Sequence, residues 1–484
     1  MTTVAGQPIR EALLIGDDRP AGEGGEPREV RSPYDGNLVG TIASASAVQV
    51  RAAVDAAADA HAEGLPAHER AAILDRVARR LADEAEESAA LICAEAGKPM
   101  KAARLEAGRA VSTFTFAAVE ARRLGGHEVP MEASAAGEGK LALAVREARG
   151  VVGAITPFNF PLNLVSHKVA PALAAGCPVV LKPAGQTPLS ALRLARIMRE
   201  EGLPPGWINV VTGAASTIGD VLVEDERVVV ISFTGSGEVG WGLRERAPRK
   251  HVVLELGNNT PVLVQVDANL EAAAAACAVH GNTFAGQSCI AVQRIYVQRP
   301  ALEEFRALLT ERVRALGVGD PADDDVAVGP MIDQDARDRA AAWVEEAAGR
   351  GAEVATGGGV REDGLLEPTV VDGMAPGMKV WSEEVFAPVV GVAGYDSLED
   401  GIAMANDSRY GLQAGVFTAN ITDALRAARR LHYGGVTINE APTFRADQQP
   451  YGGVKASGNG REGPRYAVES MTELKNITIQ LGGR

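Results

Sequence analysis

Cysteine is scarce. The 484 residues hold four, Cys93, Cys177, Cys277 and Cys289, and none sit in C-x-x-C spacing. A disulfide framework is therefore excluded, no metal site is expected, and a reducing cytoplasm fits best. Basic residues are in deficit, 48 Lys and Arg against 63 Asp and Glu, for a net charge of -15. That balance disfavours a nucleic-acid partner but leaves room for a local basic pocket that takes one small anion. Long apolar runs are missing too. None reaches the ~18 residues needed to span a bilayer, so no membrane partner is expected, and Ala272–Ala278 reads as part of one packed helix. Met1 to Pro20 lacks the basic start and apolar core of a secretory signal. What is present, 46% hydrophobic and 23% charged residues, describes a globular chain too long for one ordinary domain.

From about Ser46 to Leu124, Ala, Arg and Glu recur at helical spacing, as in Ala47–Ala62, Ala67–Ala82 and Lys101–Arg122. The Glu/Arg pairs on these helices read as solvated faces. Gly125–Val145 loses that period and reads as a protruding hairpin. Strands then follow at Val151–Ile155, Pro178–Lys182, Ile208–Thr212, Val228–Phe233 and His251–Leu256, with helices between them. This β-α rhythm predicts a mostly parallel sheet covered by helices, a Rossmann-like half. A second α/β stretch runs from about Asn258 to Glu440 and includes a strand over Ile290–Val297. Ile477–Gln480 reads as a terminal strand able to pair with the hairpin of a partner chain.

Five segments carry candidate chemistry. Phe284-Ala-Gly-Gln-Ser-Cys289 puts a thiol after a small, glycine-containing segment and before a β-prone run. A cysteine there can face a cleft with its backbone N–H free, as nucleophilic catalysis needs; alone, it is more often a small packed hydrophobe. Ile155-Thr-Pro-Phe-Asn159-Phe-Pro161 follows a strand, where Asn159 can aim its amide at a ligand or serve as an Asx cap. Lys182, also at a strand end, can reach a ribose or phosphate, or be an ordinary surface lysine. Phe233-Thr-Gly235-Ser236-Gly-Glu-Val-Gly240 opens a helix whose free N–H groups suit a phosphate. Glu255 stands in an apolar strand, where a carboxylate is either paired or shifted upward as a general base. Two later pieces accompany these, Ser382-Glu-Glu384-Val-Phe386 and the glycine-dense loop from Pro450 to Gly463.

In this order, and with 34 residues from Glu255 to Cys289, the set resembles the NAD(P)-dependent aldehyde dehydrogenase superfamily over nearly the whole chain. The resemblance implies a Rossmann-like cofactor-binding domain from residues 1–124 and 146–256 and an α/β catalytic domain over 257–463. It also implies a small β oligomerisation element from 125–145 and 464–484, with assembly into a homodimer or homotetramer. By the same resemblance Cys289 attacks the aldehyde, Asn159 and the Cys289 N–H hold the oxyanion, and Glu255 activates the hydrolytic water. Thr156, Pro157, Phe158, Lys182, Gly185, Gly235, Ser236, Gly240, Leu256, Glu384 and Phe386 are then the cofactor residues. Many NAD-preferring members carry glutamate where this chain has Gly185, so the cofactor is left open as NAD or NADP. Asn258 and Ala387 stand where glycine is usual.

The wording around Gln287–Val297 and Phe444–Asp447 is nearest the lactaldehyde dehydrogenase-like branch, which implies a small hydroxylated or anionic aldehyde. Phe160 and Arg445 are the candidate substrate contacts; Arg445 can pair with an anion or form a structural ion pair with Asp447. Two alternatives stand beside this reading: an acylating enzyme that passes the thioester to coenzyme A, and a non-catalytic binding protein on the same scaffold.

Overall fold

A computed structural model describes residues 8–481; the ends of the first and last segments lie outside the described residues. The first large sheet has five parallel strands in the spatial order His251–Glu255, Val228–Thr234, Val151–Ile155, Val179–Lys182, Ile208–Val210. Every residue of Val151–Ile155 and Val179–Lys182 is buried, as runs covered by helices on both faces should be. The chain leaves Val151–Ile155 first to one side and later to the other. This switch point opens a crevice beyond the carboxyl ends of the strands, where α/β sheets bind ligands. Thr156–Asn159 and Gly235–Ser236 stand at that end.

The second sheet has seven strands, with Pro261–Val264 and Arg294–Gln298 central, and is parallel except for the edge strand Glu353–Thr356. The expected strand over Ile290–Val297 begins only at Arg294. The Val292 N–H goes to His280 O at 3.1 Å, and those of Gln293 and Arg294 both go to Thr260 O at 3.1 and 3.0 Å. These bonds bend the chain before the ladder starts.

The hairpin is present as His127–Val129 and Lys140–Ala148. Its third strand corrects the expectation for the tail. Thr472–Gln480 pairs antiparallel with Lys140–Ala148 of its own chain, Thr472 opposite Ala148 and Gln480 opposite Lys140. The bond from Arg149 N–H to Met471 O, at 3.1 Å, brings the tail back onto its own hairpin. From Glu473 to Gln480 this strand is exposed on both faces, with Leu474 on one and Ile477 and Ile479 on the other.

Helices cover both faces of the first sheet, Ala47–Glu63 packing on the Ile155, Val180 and Ile231 face and Asn163–Ala175 on the Val152, Ala154 and Leu181 face. Ala47–Glu63 starts on a capping box of Ser46 and Gln49. Met100–Arg123 lays buried Ala103, Ala107, Ala110, Phe114, Ala117 and Ala121 against Ala67–Asp83 and Asn163–Ala175. Small residues at i, i+4 spacing allow this close approach.

The same helix carries Glu106, which pairs with Lys98; both are almost fully buried. Helix Asn163–Ala175 has no side-chain cap of its own. Glu106 supplies one, accepting the Leu162 and Asn163 N–H groups at 2.9 and 3.1 Å. Lys98 donates to Asn159 O at 2.6 Å and sits 3.6 Å over the Phe160 ring. The pair thus holds the turn from Asn159 into the helix. Glu106→Gln keeps the cap but strips the buried ammonium of its counter-charge, an expected loss of roughly 3–5 kcal/mol. A melting curve would register a clear fall in midpoint; an unchanged midpoint would remove the pair from this role.

Candidate active site

The Cys289 loop is strained. Phe284, Ala285 and Gly286 take positive φ of 55°, 51° and 64° in succession, at roughly 1–3 kcal/mol for each non-glycine residue. Gln287 holds the loop. Its amide donates to Phe284 O and Pro330 O at 3.2 and 3.3 Å, and its carbonyl accepts the Ile332 N–H at 2.8 Å. A Cβ at Gly286 would strike Ala387 O, which accounts for that glycine and for the place of buried Ala387. Among the described residues the Cys289 N–H has no acceptor. Cys289 is the half-buried member of the four free cysteines, and its Sγ lies 2.9 Å from the Tyr451 hydroxyl. Burial pushes the thiol up to about 12, with the Tyr451 hydrogen bond pulling the other way. Burial also holds Tyr451 well above the usual phenol range.

Asn159 is tied to this loop by its amide, which donates to Gln287 O at 3.0 Å and keeps a second N–H. Glu255 ends its strand with both carboxylate oxygens buried and without partners among the described residues. Burial raises it well above the usual carboxylate range, and Glu462 raises it further against Lys168 and Arg445. Cβ atoms at Gly452 and Gly460 would crowd one oxygen of Glu255 at 2.8 and 2.7 Å. Cys289, Asn159 and Glu255 open with Leu256 into one cavity of about 440 Å³.

That cavity also takes in Gly235, Ser236, Glu384 and Phe386. Phe386 has a positive φ of 54° and meets the Phe158 ring edge-on at 6.0 Å. Burial raises Glu384 to about 7, while the Asn258 N–H, donating at 2.9 Å, draws it back. The Asn258 side chain donates to Thr260 and Gln413 O and accepts the Leu412 N–H. Asn258 therefore locks the turn between the two large sheets. Arg339 and Trp343, one turn apart on the helix Gln334–Gly349, complete the wall.

An adjoining cavity of about 480 Å³ is lined by Thr156, Pro157, Phe158, Lys182, Gly185 and Gly235. The Thr156 and Thr234 hydroxyls beside it are buried without partners. These orphaned donors, the cationic Lys182, and the helix start after Ser236 fit an extended, phosphate-bearing dinucleotide. Gly240 lines neither cavity. A Cβ there would meet Leu256 and Phe233, so this glycine serves helix–strand packing rather than cofactor contact.

Phe160 and Arg445 line a third cavity, of about 460 Å³, on the other side of Cys289. Arg445 pairs with Glu462 at 2.9 Å rather than with Asp447, and its guanidinium lies 3.8 Å over the Tyr451 ring. Asp447 instead takes Arg109 and His167, each at 2.9 Å. Against its burial, these two draw Asp447 down to about 2. Burial and Arg445 push His167 down to about 4, leaving it neutral. Arg109 also lines this cavity, and its Nη1 has no partner among the described residues. Sequence reasoning missed Arg109, having read the charges of its helix as solvated.

Among the described residues no cluster of three or more His, Cys, Asp or Glu could hold a metal, and no helix is long and apolar enough to cross a membrane. The model of the aldehyde dehydrogenase family matches residues 21–477. The 3-sulfolactaldehyde dehydrogenase of Priestia aryabhattai is 43% identical over 456 residues, covering 94% of this chain and 95% of that protein. The lactaldehyde dehydrogenase of Methanococcus aeolicus is 36% identical, covering 93% and 97%. Among solved structures, the NADP-dependent glyceraldehyde-3-phosphate dehydrogenase of Bacillus halodurans C-125, complexed with NADP, superposes with a TM-score of 0.95 at 35% identity, covering 98% and 100%. Matched along nearly its whole length, the chain belongs to the aldehyde dehydrogenase family.

Proposed function

We propose that the protein oxidises a small hydroxylated or anionic aldehyde to its carboxylate with NAD or NADP, through a covalent intermediate on Cys289. One observation carries this reading: Cys289, Asn159 and the unpartnered Glu255 share one cavity. Tyr451, kept protonated by burial, donates to the sulfur and offsets the cost of a buried thiolate. Once the thiol has passed its proton to solvent in the cavity, the thiolate adds to the carbonyl carbon, and the oxyanion is taken by the Cys289 N–H and the free N–H of Asn159. A nicotinamide dinucleotide, when bound, supplies the hydride acceptor. The thioester left on Cys289 is hydrolysed by a water that gives its proton to Glu255. With no partner among the described residues, Glu255 is free for that water, which favours hydrolysis over transfer to coenzyme A.

Lys182 and Gly185 are assigned to the adenosine end of the dinucleotide, Gly235 and Ser236 to its phosphates, and Glu384 and Phe386 to its nicotinamide end. The dinucleotide part comprises residues 1–124 and 146–256, and the catalytic part residues 257–463. A homodimer or homotetramer, built on the exposed edge of Thr472–Gln480, and a cytoplasmic setting complete the reading. The substrate class rests on Arg109 and Arg445, which bring two guanidinium groups to the aldehyde side of Cys289. Their unpartnered nitrogens, Nη1 of Arg109 and Nε of Arg445, suit a carboxylate, phosphate or sulfonate. Activity on lactaldehyde and 3-sulfolactaldehyde by relatives supports the same class.

Glu255→Gln is expected to form reduced cofactor once per site and then stall, with steady turnover down roughly 10²–10⁴-fold and Cys289→Ala as the blank. The native enzyme should lose steady turnover on acidification at a pH well above the ordinary carboxylate range, since protonation of the upshifted Glu255 removes the base. Full steady turnover by Glu255→Gln would reject the assignment. Arg109→Gln should lower kcat/KM for glyceraldehyde 3-phosphate by roughly tenfold while sparing propanal; equal losses on both would assign Arg109 to structure alone. In Tyr451→Phe, the pH midpoint for iodoacetamide alkylation of Cys289 should move upward. A packing role alone would leave that midpoint in place.

A further inference from the structure

Arg28 belongs to the short strand Arg28–Arg31, in a small sheet at the start of the chain, far in sequence from any residue of the proposed mechanism. Its guanidinium nevertheless turns into the cavity that holds Lys182 and Gly185. A Cβ on Gly185 would lie 3.0 Å from Nη1 and 3.4 Å from Cζ of Arg28, so the guanidinium rests against this glycine. Arg31 of the same strand pairs with Glu29 at 2.8 Å, whereas the Arg28 guanidinium has no ion pair or hydrogen bond among the described residues. Lys182 is 8% exposed, and its ammonium reaches one carbonyl, Pro183 O, at 3.2 Å. No carboxylate lines this cavity. Two cations thus line one cavity with no counter-charge among its described lining residues, and Arg28 works with burial to lower the Lys182 ammonium from its usual range. An anion bound by both would relieve the repulsion between them.

We propose that Arg28 and Lys182 form a site for the 2′-phosphate of NADP, and that the chain prefers NADP to NAD for this reason. The proposal rests on the assignment of this cavity to the adenosine end of the dinucleotide. A phosphate dianion between a planar guanidinium and an ammonium gains charge-assisted bonds to both. Gly185 contributes by its size, since any side chain there would stand where the guanidinium lies.

The test is calorimetric titration of the full chain, native and Arg28→Gln, with adenosine 2′,5′-bisphosphate and with 5′-AMP, free of any aldehyde. The native protein should bind the bisphosphate roughly tenfold or more tightly than 5′-AMP. Arg28→Gln should erase most of that margin and leave 5′-AMP within about twofold. Because Arg28 is exposed, the variant should fold normally, with an unchanged melting midpoint. Binding of 5′-AMP with an undiminished margin in the variant would overturn the role of Arg28 alone. Failure of either nucleotide to bind would overturn the adenosine assignment, and this proposal with it.

Discussion

Closure of the glycine-rich loop over the edge of the five-stranded sheet is the constraint on which the site depends. His251–Glu255 is that edge, and a bare edge leaves backbone groups unsatisfied and open to other chains. The loop covers it. Asn459 accepts the Leu254 N–H at 2.8 Å and donates to Val252 O at 3.0 Å, and the Leu256 N–H reaches Ser457 O at 3.0 Å. The same stretch of chain brings Tyr451 to the thiol and Glu462 to the Lys168–Arg445 cluster. Two of its glycines, Gly452 and Gly460, leave room for the Glu255 carboxylate, which Cβ atoms there would crowd. Completing the sheet and assembling the catalytic groups are therefore one event, made by one set of hydrogen bonds.

That event also sorts the buried charges. Glu462, Arg445, Asp447, Arg109 and Lys168 are each engaged by a partner, and His167 bridges Asp447 and Arg445 while staying neutral. Glu255 stands among them with no hydrogen bond to either oxygen. Breaking a satisfied buried pair costs several kcal/mol, by about the same physics that makes an unsatisfied carboxylate take up a proton. The network can thus be rigid while one of its members remains chemically unspent. Rigidity there holds the guanidinium of Arg445 over Tyr451, which keeps the phenol oriented toward sulfur.

Much of this was legible in the sequence, for a physical reason. The parallel strands are runs of β-branched residues between helical stretches, and Asn159, Lys182, Glu255 and Cys289 lie at or near strand boundaries, where pattern and chemistry change together. Other features depend on partners remote in sequence. The charges of Glu106 and Arg109 follow the helical repeat of an Ala-rich segment, and nothing in that repeat says which face turns inward. The strand expected from Ile290 starts at Arg294 because Thr260 O takes two of its N–H groups, a bond that β-propensity does not see. A terminal strand likewise does not encode whose hairpin it joins, and here the return of the chain at Met471 decides for its own. Arg28 sits in a loop-rich beginning with no periodic signal at all.

The division between the cavities follows from two peptide steps. Asn159 and Cys289 line the cavity that holds Glu255 and Glu384, and their neighbours Phe160 and Ser288 line the one that holds Arg109 and Arg445. Adjacent side chains on an extended or turning backbone point apart, so two short segments suffice to part the two cavities while the sulfur stands at the boundary. Lys98 braces one of those segments through Asn159 O and the Phe160 ring, and it reaches the other loop through the Phe284 ring at 4.5 Å. A change in the aldehyde cavity can alter selectivity without disturbing the dinucleotide cavity, provided that brace holds. A change in the brace must be felt on both sides at once, because it moves Asn159 and Cys289 relative to each other.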